Sequence, residues 1–250
     1  MFLFNSKIFP YHPYKIYKKQ IKWFPSDKEE TYVEYNNLYK KDDITYKFNN
    51  NGFRCDEFNL ESDLRIVFLG CSITEGIGVN QNEIWANIFL EKLKSKFNTF
   101  IPYWNLSLAG CGLDALLRAY YNYFILLQPH YVIAYFPCYR KEIYDQRTKE
   151  IVSLNIHEPQ HFISESLDEN IISYETSKNF LFLQLLLEKY NTKLFWNTWE
   201  DLKFYPNKIN KFNSSIDWDQ KARDKMHPGP FAHKKFAEDV WKEISPNIEI

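Results

Sequence analysis

Residues 66–76 read Ile66-Val-Phe-Leu-Gly-Cys-Ser-Ile-Thr-Glu-Gly76, and this stretch decides the fold of the 250-residue chain. A continuous apolar run from Ile66 to Leu69, halted by Gly70, is the pattern of a strand buried on both faces, which implies a parallel sheet covered by helices. Beyond the glycine come a thiol, a hydroxyl, a branched residue and a second hydroxyl, so the strand ends in a turn carrying small polar groups. Ser72 has two readings there. It suits a helix N-cap, its oxygen accepting a free backbone N–H, with Glu75 completing a capping box. It equally suits a nucleophile, with the same free N–H groups and the positive helix end stabilising an oxyanion beside it. Nothing local separates the two.

Working outward, the chain from residue 64 alternates strand and helix patterns. NEIWANIFLEKLKSKF and LDALLRAYYNYFILL carry apolar residues at helical spacing, and FIPYWNLSLAG, HYVIAYF and KLFWNTW read as strands. NFLFLQLLLEKY predicts a further helix after a polar stretch over 141–177. PFAHKKFAEDVWKEI predicts the last, with Ala232, Phe236, Val240, Trp241 and Ile244 on one side and His233 in solvent. This order predicts an α/β protein, a three-layer α/β/α sandwich with a central parallel sheet over 63–250. Residues 1–62 form an N-terminal extension expected to pack on that domain, where Ile44, Tyr46 and Phe48 alternate as in a half-buried strand. Ligands of such sheets sit beyond the carboxyl ends of the strands, here Gly70-Cys-Ser72, Gly110-Cys-Gly112, Pro137-Cys-Tyr139 and Asn197-Thr198.

Bulk properties narrow the classes. A net charge of −1 supplies no excess of basic residues for phosphate, so no nucleic-acid partner is expected. Cys55, Cys71, Cys111 and Cys138 form neither a disulfide scaffold nor a CxxC pair. His12, His130, His157 and His161 lack metal-ligand spacing, so no metal and no cofactor is expected. No secretory signal or membrane-spanning run is read, which predicts a cytoplasmic protein without a membrane partner. Aromatic residues at 18% accompany abundant Lys, Asn and Ile, a compositional bias before it is a hint of sugar stacking.

Near the other end, ARDKMHPGPFAH sets Asp224 three residues before His227, ahead of a helix opened by proline. A serine needs a base to remove its proton, and the base works best when a carboxylate fixes its tautomer. Asp224 and His227 are close enough for one turn to hold them in contact.

With these residues in view, the chain resembles the SGNH hydrolases, the GDSL-like esterases and lipases, over roughly 50–240. FLGCSITEG is similar to their first block, with Cys71 in place of the usual Asp; NLSLAG is similar to the second; DKMHPGPFAH is similar to the last; and NNGFRCDEF resembles a segment preceding the first block in some members. The resemblance implies Ser72 as nucleophile, His227 as base, Asp224 as its orienting acid, and an oxyanion hole from the Ser72 and Gly110 N–H groups. In the third block, IAYFPCYR sets Pro137 and Tyr139 where Gly and Asn would align. Tyr139, Arg140 or Asn197 then stands in for that donor, or two N–H groups suffice.

The function expected is a serine esterase acting on a small-molecule or glycan ester, with acetyl on a carbohydrate as the family's habit and Trp196 and Trp199 as possible lining of a sugar cleft. The alternatives are a glycan-binding or assembly protein on the same scaffold, motivated by Tyr139, and an acyltransferase with a sugar acceptor.

Overall fold

The structure is a computed structural model that describes residues 20–24, 26–145, 150–155, 168–200 and 209–250. The first 19 positions of the expected extension, including His12, and the pair His157 and His161 lie outside them. The strands are β1 (Gln20–Ile21), β2 (Tyr46–Lys47), β3 (Ile66–Gly70), β4 (Trp104–Asn105), β5 (Tyr131–Phe136), β6 (Arg140–Asp145), β7 (Glu150–Asn155) and β8 (Lys193–Thr198). The helices are α1 (Ser72–Glu75), α2 (Trp85–Phe97), α3 (Leu113–Leu127), α4 (Glu169–Lys189) and α5 (Pro230–Ile244).

Strands β4, β3, β5 and β8 form one parallel sheet in that order. Gly70 pairs with Tyr135 and Tyr135 with Asn197, so three strands end level and their following turns share one rim. Residues 66–69 are all buried, as a sheet covered on both faces requires. On one face Phe68 meets Trp85 and Phe89 of α2, and Tyr135 meets Phe236 of α5. On the other, Phe136 and Trp196 meet Phe180 of α4, against which α3 packs. The α/β/α layering expected from the alternating pattern is therefore present. Gly70 closes β3 because a Cβ there would lie 2.3 Å from Thr74 Oγ1 and 2.5 Å from the Tyr135 carbonyl. A larger residue would push α1 off the strand end.

Several local expectations change. The stretch 141–177 holds an antiparallel hairpin, β6–β7, and α4 starts at Glu169, ahead of the apolar NFLFLQ run. Its cap is Asp168, which accepts the Asn170 N–H at 2.6 Å. The FIPYWNLSLAG strand is short in the ladder, yet Leu106 and Leu108 N–H still bond to the Phe68 and Gly70 carbonyls at 2.9 and 3.0 Å. His233 is not in solvent: it is fully buried, and its Nδ1 accepts the Trp85 N–H at 3.2 Å. That N–H is one of the unpaired donors at the start of α2, so α5 caps α2 through a ring nitrogen. Burial draws the His233 pKa down to about 3, so the ring stays neutral and able to accept.

In the N-terminal segment β1 and β2 pair antiparallel. Ile44, Tyr46 and Phe48 point inward and cluster with Phe24, Tyr39, Ile77 and Ala109. Ile77 and Ala109 belong to the turns after β3 and β4, so the segment packs on the rim that carries the site.

Candidate active site

Ser72 is the first residue of α1 rather than its cap; the cap position belongs to Cys71, and no side chain caps this turn. The capping box with Glu75 does not form. Glu75 turns inward, is buried, and accepts the Ala109 N–H at 2.5 Å. Because α1 is four residues long, any favourable field at Ser72 comes from individual N–H groups and not from a helix dipole. Asn105 braces the same turn, donating to the Thr74 carbonyl at 2.6 Å.

The loop before α5 brings the far end of the chain to this turn. Lys221 and Pro228 form an antiparallel bridge, the Ala222 N–H reaches the His227 carbonyl at 2.8 Å, and Lys225 turns the chain at φ 60°. Inside that hairpin, Asp224 Oδ1 accepts the Met226 and His227 N–H groups, both at 3.0 Å. Its Oδ2 lies 2.5 Å from His227 Nδ1, and His227 Nε2 lies 2.8 Å from Ser72 Oγ. Residues 155 positions apart thus form one hydrogen-bonded line. The Asp224 side chain is 1% exposed and that of His227 14%, so the acid is sealed while the imidazole edge reaches the surface. Burial opposes ionisation of Asp224, but the hydrogen bonds from His227 outweigh it and hold the carboxyl below its ordinary range. An ionised Asp224 accepting from Nδ1 leaves Nε2 to accept from Ser72, the tautomer needed for proton removal.

Gly110 has φ 79°, the left-handed conformation that favours glycine, and nothing lies within 4 Å of where its Cβ would be. Its carbonyl is held by Arg140 Nη1 at 3.1 Å and Ser153 Oγ at 2.5 Å. The hairpin β6–β7 therefore sets this peptide's orientation, and Asp114, accepting the Glu142 N–H at 2.6 Å, fixes the hairpin to α3. Among the described residues neither Ser72 N–H nor Gly110 N–H has an oxygen acceptor. Cys111, beside Gly110, donates its thiol to the Leu108 carbonyl at 2.7 Å, which ties off the turn after β4. Cys71 is fully buried, as a packing residue and not as an exposed nucleophile.

The three stand-ins for a third donor differ. Asn197 Nδ2 donates to the Ser214 carbonyl at 2.8 Å, which ties it to the loop beyond β8. Arg140 is engaged with the Gly110 carbonyl. Tyr139 is half-buried at the start of the hairpin. Of the aromatics expected at a sugar cleft, Trp196 is fully buried in the core and cannot line one, whereas Trp199 sits at the rim against Trp218, which is 42% exposed. His130 is at the opposite end of β5, where its Nδ1 accepts the Arg65 N–H. Among the described residues no group of three or more His, Cys, Asp or Glu is arranged for a metal, and no helix is long and apolar enough to cross a membrane.

Glu75, Asn105 and the hairpin were not legible as parts of a site. Glu75 carried one signal, a carboxylate in a turn otherwise built of small residues, and it pointed to the wrong partner.

No family model matches the sequence, and no curated protein matches it. Solved structures do. A lipase from a goat rumen metagenome superposes with a TM-score of 0.50 at 12% identity, covering 72% of this chain and 97% of its own. A psychrotrophic esterase from Pseudoalteromonas sp. gives 0.49 at 14% identity, covering 74% and 98%. An acetyl xylan esterase gives 0.46 at 15% identity, covering 72% and 100%. At this identity the likeness establishes a shared fold with the rumen lipase.

Proposed function

We propose that the chain is a serine ester hydrolase of the SGNH type, and that its substrate is a small acyl ester, acetyl above all, carried on a carbohydrate. The observation that carries the first part is the unbroken line from Asp224 through His227 to Ser72, at 2.5 and 2.8 Å. Ser72 Oγ attacks the ester carbonyl carbon while His227 Nε2 takes its proton. Asp224 keeps the imidazole oriented and stabilises the imidazolium that forms. The carbonyl oxygen, now negative, is met by the Ser72 and Gly110 N–H groups. His227 returns its proton to the departing alcohol oxygen, which leaves the acyl group on Ser72. Water, deprotonated by His227, then attacks that acyl carbon and restores the serine.

The oxyanion hole in this reading has two backbone donors. Of the side chains considered for a third, Asn197 spends an amide hydrogen on Ser214 and Arg140 holds the Gly110 carbonyl. A missing side-chain donor weakens the transition state by about 3 kcal/mol, so turnover is slow compared with a three-donor site. The carbohydrate part rests on the resemblance and on Trp199 and Trp218 at the rim, a pair able to stack on a sugar face.

Fluorophosphonate labelling with mass spectrometry tests the mechanism, beside hydrolysis of p-nitrophenyl acetate and of an acetylated oligosaccharide. Modification at Ser72 that is lost in His227→Ala is the expected result. A folded protein inert to the probe and to both esters overturns it.

A further inference from the structure

Two buried arginines, Arg54 and Arg223, clasp the two catalytic turns, and the N-terminal segment joins them. Arg54 donates to the carbonyls of Glu75 at 3.3 Å, of Gly76, and of Val79 at 2.7 Å, which encloses the end of the Ser72 turn. Arg223, the residue before Asp224, binds Asp27 through Nε at 3.1 and 3.0 Å and Nη2 at 2.6 Å. It also donates to the Lys41 carbonyl at 2.9 Å and the Lys22 carbonyl at 2.5 Å, and its guanidinium lies 3.9 Å over the Trp23 ring. Asp27 and Arg223 are 1% and 0% exposed.

Tyr46 connects the two clasps. Its hydroxyl donates to Asp27 Oδ2 at 2.6 Å and accepts the Gly78 N–H at 2.8 Å, while Arg54 lies 4.4 Å over its ring. The Gly78 carbonyl in turn accepts the Arg223 N–H at 2.9 Å. A closed ring results: Gly78 to Arg223 along the backbone, Arg223 to Asp27 through its side chain, Asp27 to Tyr46, and Tyr46 back to Gly78. Burial, with the Asp27 carboxylate beside it, holds the Tyr46 phenol far above its ordinary pKa, so the hydroxyl keeps the proton it donates.

We propose that Tyr46 and Asp27 of the N-terminal segment are positioning residues of the active site, setting the Asp224–His227 loop in register with the Ser72 turn. The inference rests on the ester-hydrolase reading for its catalytic consequence and on the ring alone for its geometric one. Without the N-terminal segment these turns are joined by the His227–Ser72 bond, which catalysis must break and remake, and by the single Arg223–Gly78 backbone bond. Tyr46 and Asp27 brace that backbone bond from both ends with links that chemistry does not disturb. Supporting groups of this kind matter because misplacement of reacting groups by about 1 Å costs roughly a hundredfold in rate.

Tyr46→Phe is the test, because it keeps the ring and removes the one oxygen that closes the circuit. Leu187→Ala, on α4 beside the start of β8 at the opposite rim, serves as a destabilised control. Two readouts are taken on the full chain: the rate of fluorophosphonate labelling, and the downfield proton resonance of the His227–Asp224 bond, assigned by its loss in His227→Ala. In Tyr46→Phe, folded by circular dichroism, labelling slows roughly tenfold or more and the resonance broadens or shifts. Leu187→Ala keeps both at the wild-type value despite a lower midpoint of unfolding. A Tyr46→Phe protein with wild-type labelling and an unchanged resonance overturns the positioning role and leaves the hydrolase reading standing. An unlabelled wild type defeats the hydrolase reading, and the resonance then decides the positioning role by itself. Asp27→Asn gives a second route to the same comparison.

Discussion

Glu75 lies beneath the Ser72 turn, and its protonation is expected to set much of the pH dependence of stability. Burial raises its pKa from 4.5 to about 8, opposed by the Ala109 N–H and by Arg54. The folded pKa thus lies above the unfolded one, so the native state holds a proton that the unfolded chain releases between these values. Stability from this group is present in full below about pH 4.5 and is lost as pH rises toward about 8. At about 1.4 kcal/mol for each tenfold change in proton affinity, the full loss is about 5 kcal/mol, an upper bound because ionisation would draw Arg54 and water toward the carboxylate. Glu75→Gln copies the neutral acid, keeping an oxygen for the Ala109 N–H, and removes the titration. Urea unfolding of both proteins at steps from about pH 5 to about pH 9 gives two curves whose difference isolates Glu75. The wild type should lose several kcal/mol relative to the variant over that range. Parallel curves would refute the assignment of a neutral, buried Glu75.

Asp224→Asn keeps the shape of the loop but presents a donor to Nδ1 or an uncharged acceptor; labelling at Ser72 should fall by about 10³–10⁴-fold with little change in melting temperature. Gly70→Ala forces a Cβ against Thr74 and the Tyr135 carbonyl. It should destabilise by about 1–3 kcal/mol in urea titrations and slow labelling, since α1 carries Ser72. His233→Ala removes the acceptor of the Trp85 N–H and opens a cavity, an expected cost of about 2–4 kcal/mol; ester hydrolysis measured well below the unfolding midpoint should stay at the wild-type level.

The layered sheet was legible because a strand buried on both faces must be apolar at every position, and Ile66–Leu69 is. Helices α3 and α5 were legible to the residue, since their apolar residues recur at helical spacing between clear ends. The β6–β7 hairpin was not, because its polar and apolar residues follow no single face and its anchors, Asp114 and Gly110, belong to other segments. His233 was misread for a related reason. A histidine on a helix of mixed composition looks solvated until the start of α2 is found to offer it an unpaired N–H.

For the site, the sequence by itself determined which residue types were available: a serine after a buried strand, an Asp-x-x-His before a helix, and a glycine after a second strand. Whether Ser72 caps a helix or meets an imidazole was a question of three-dimensional placement, and the tertiary structure alone decided it. The reason is physical. A hydroxyl meets the same local N–H groups in either role, and the difference is made by an imidazole 155 positions away, brought to 2.8 Å by the loop before α5, which is bonded to the Ser72 turn through the Arg223 N–H and the Gly78 carbonyl. The same holds for Arg223 and Asp27, charged residues 196 positions apart whose burial against one another exists only in the folded chain.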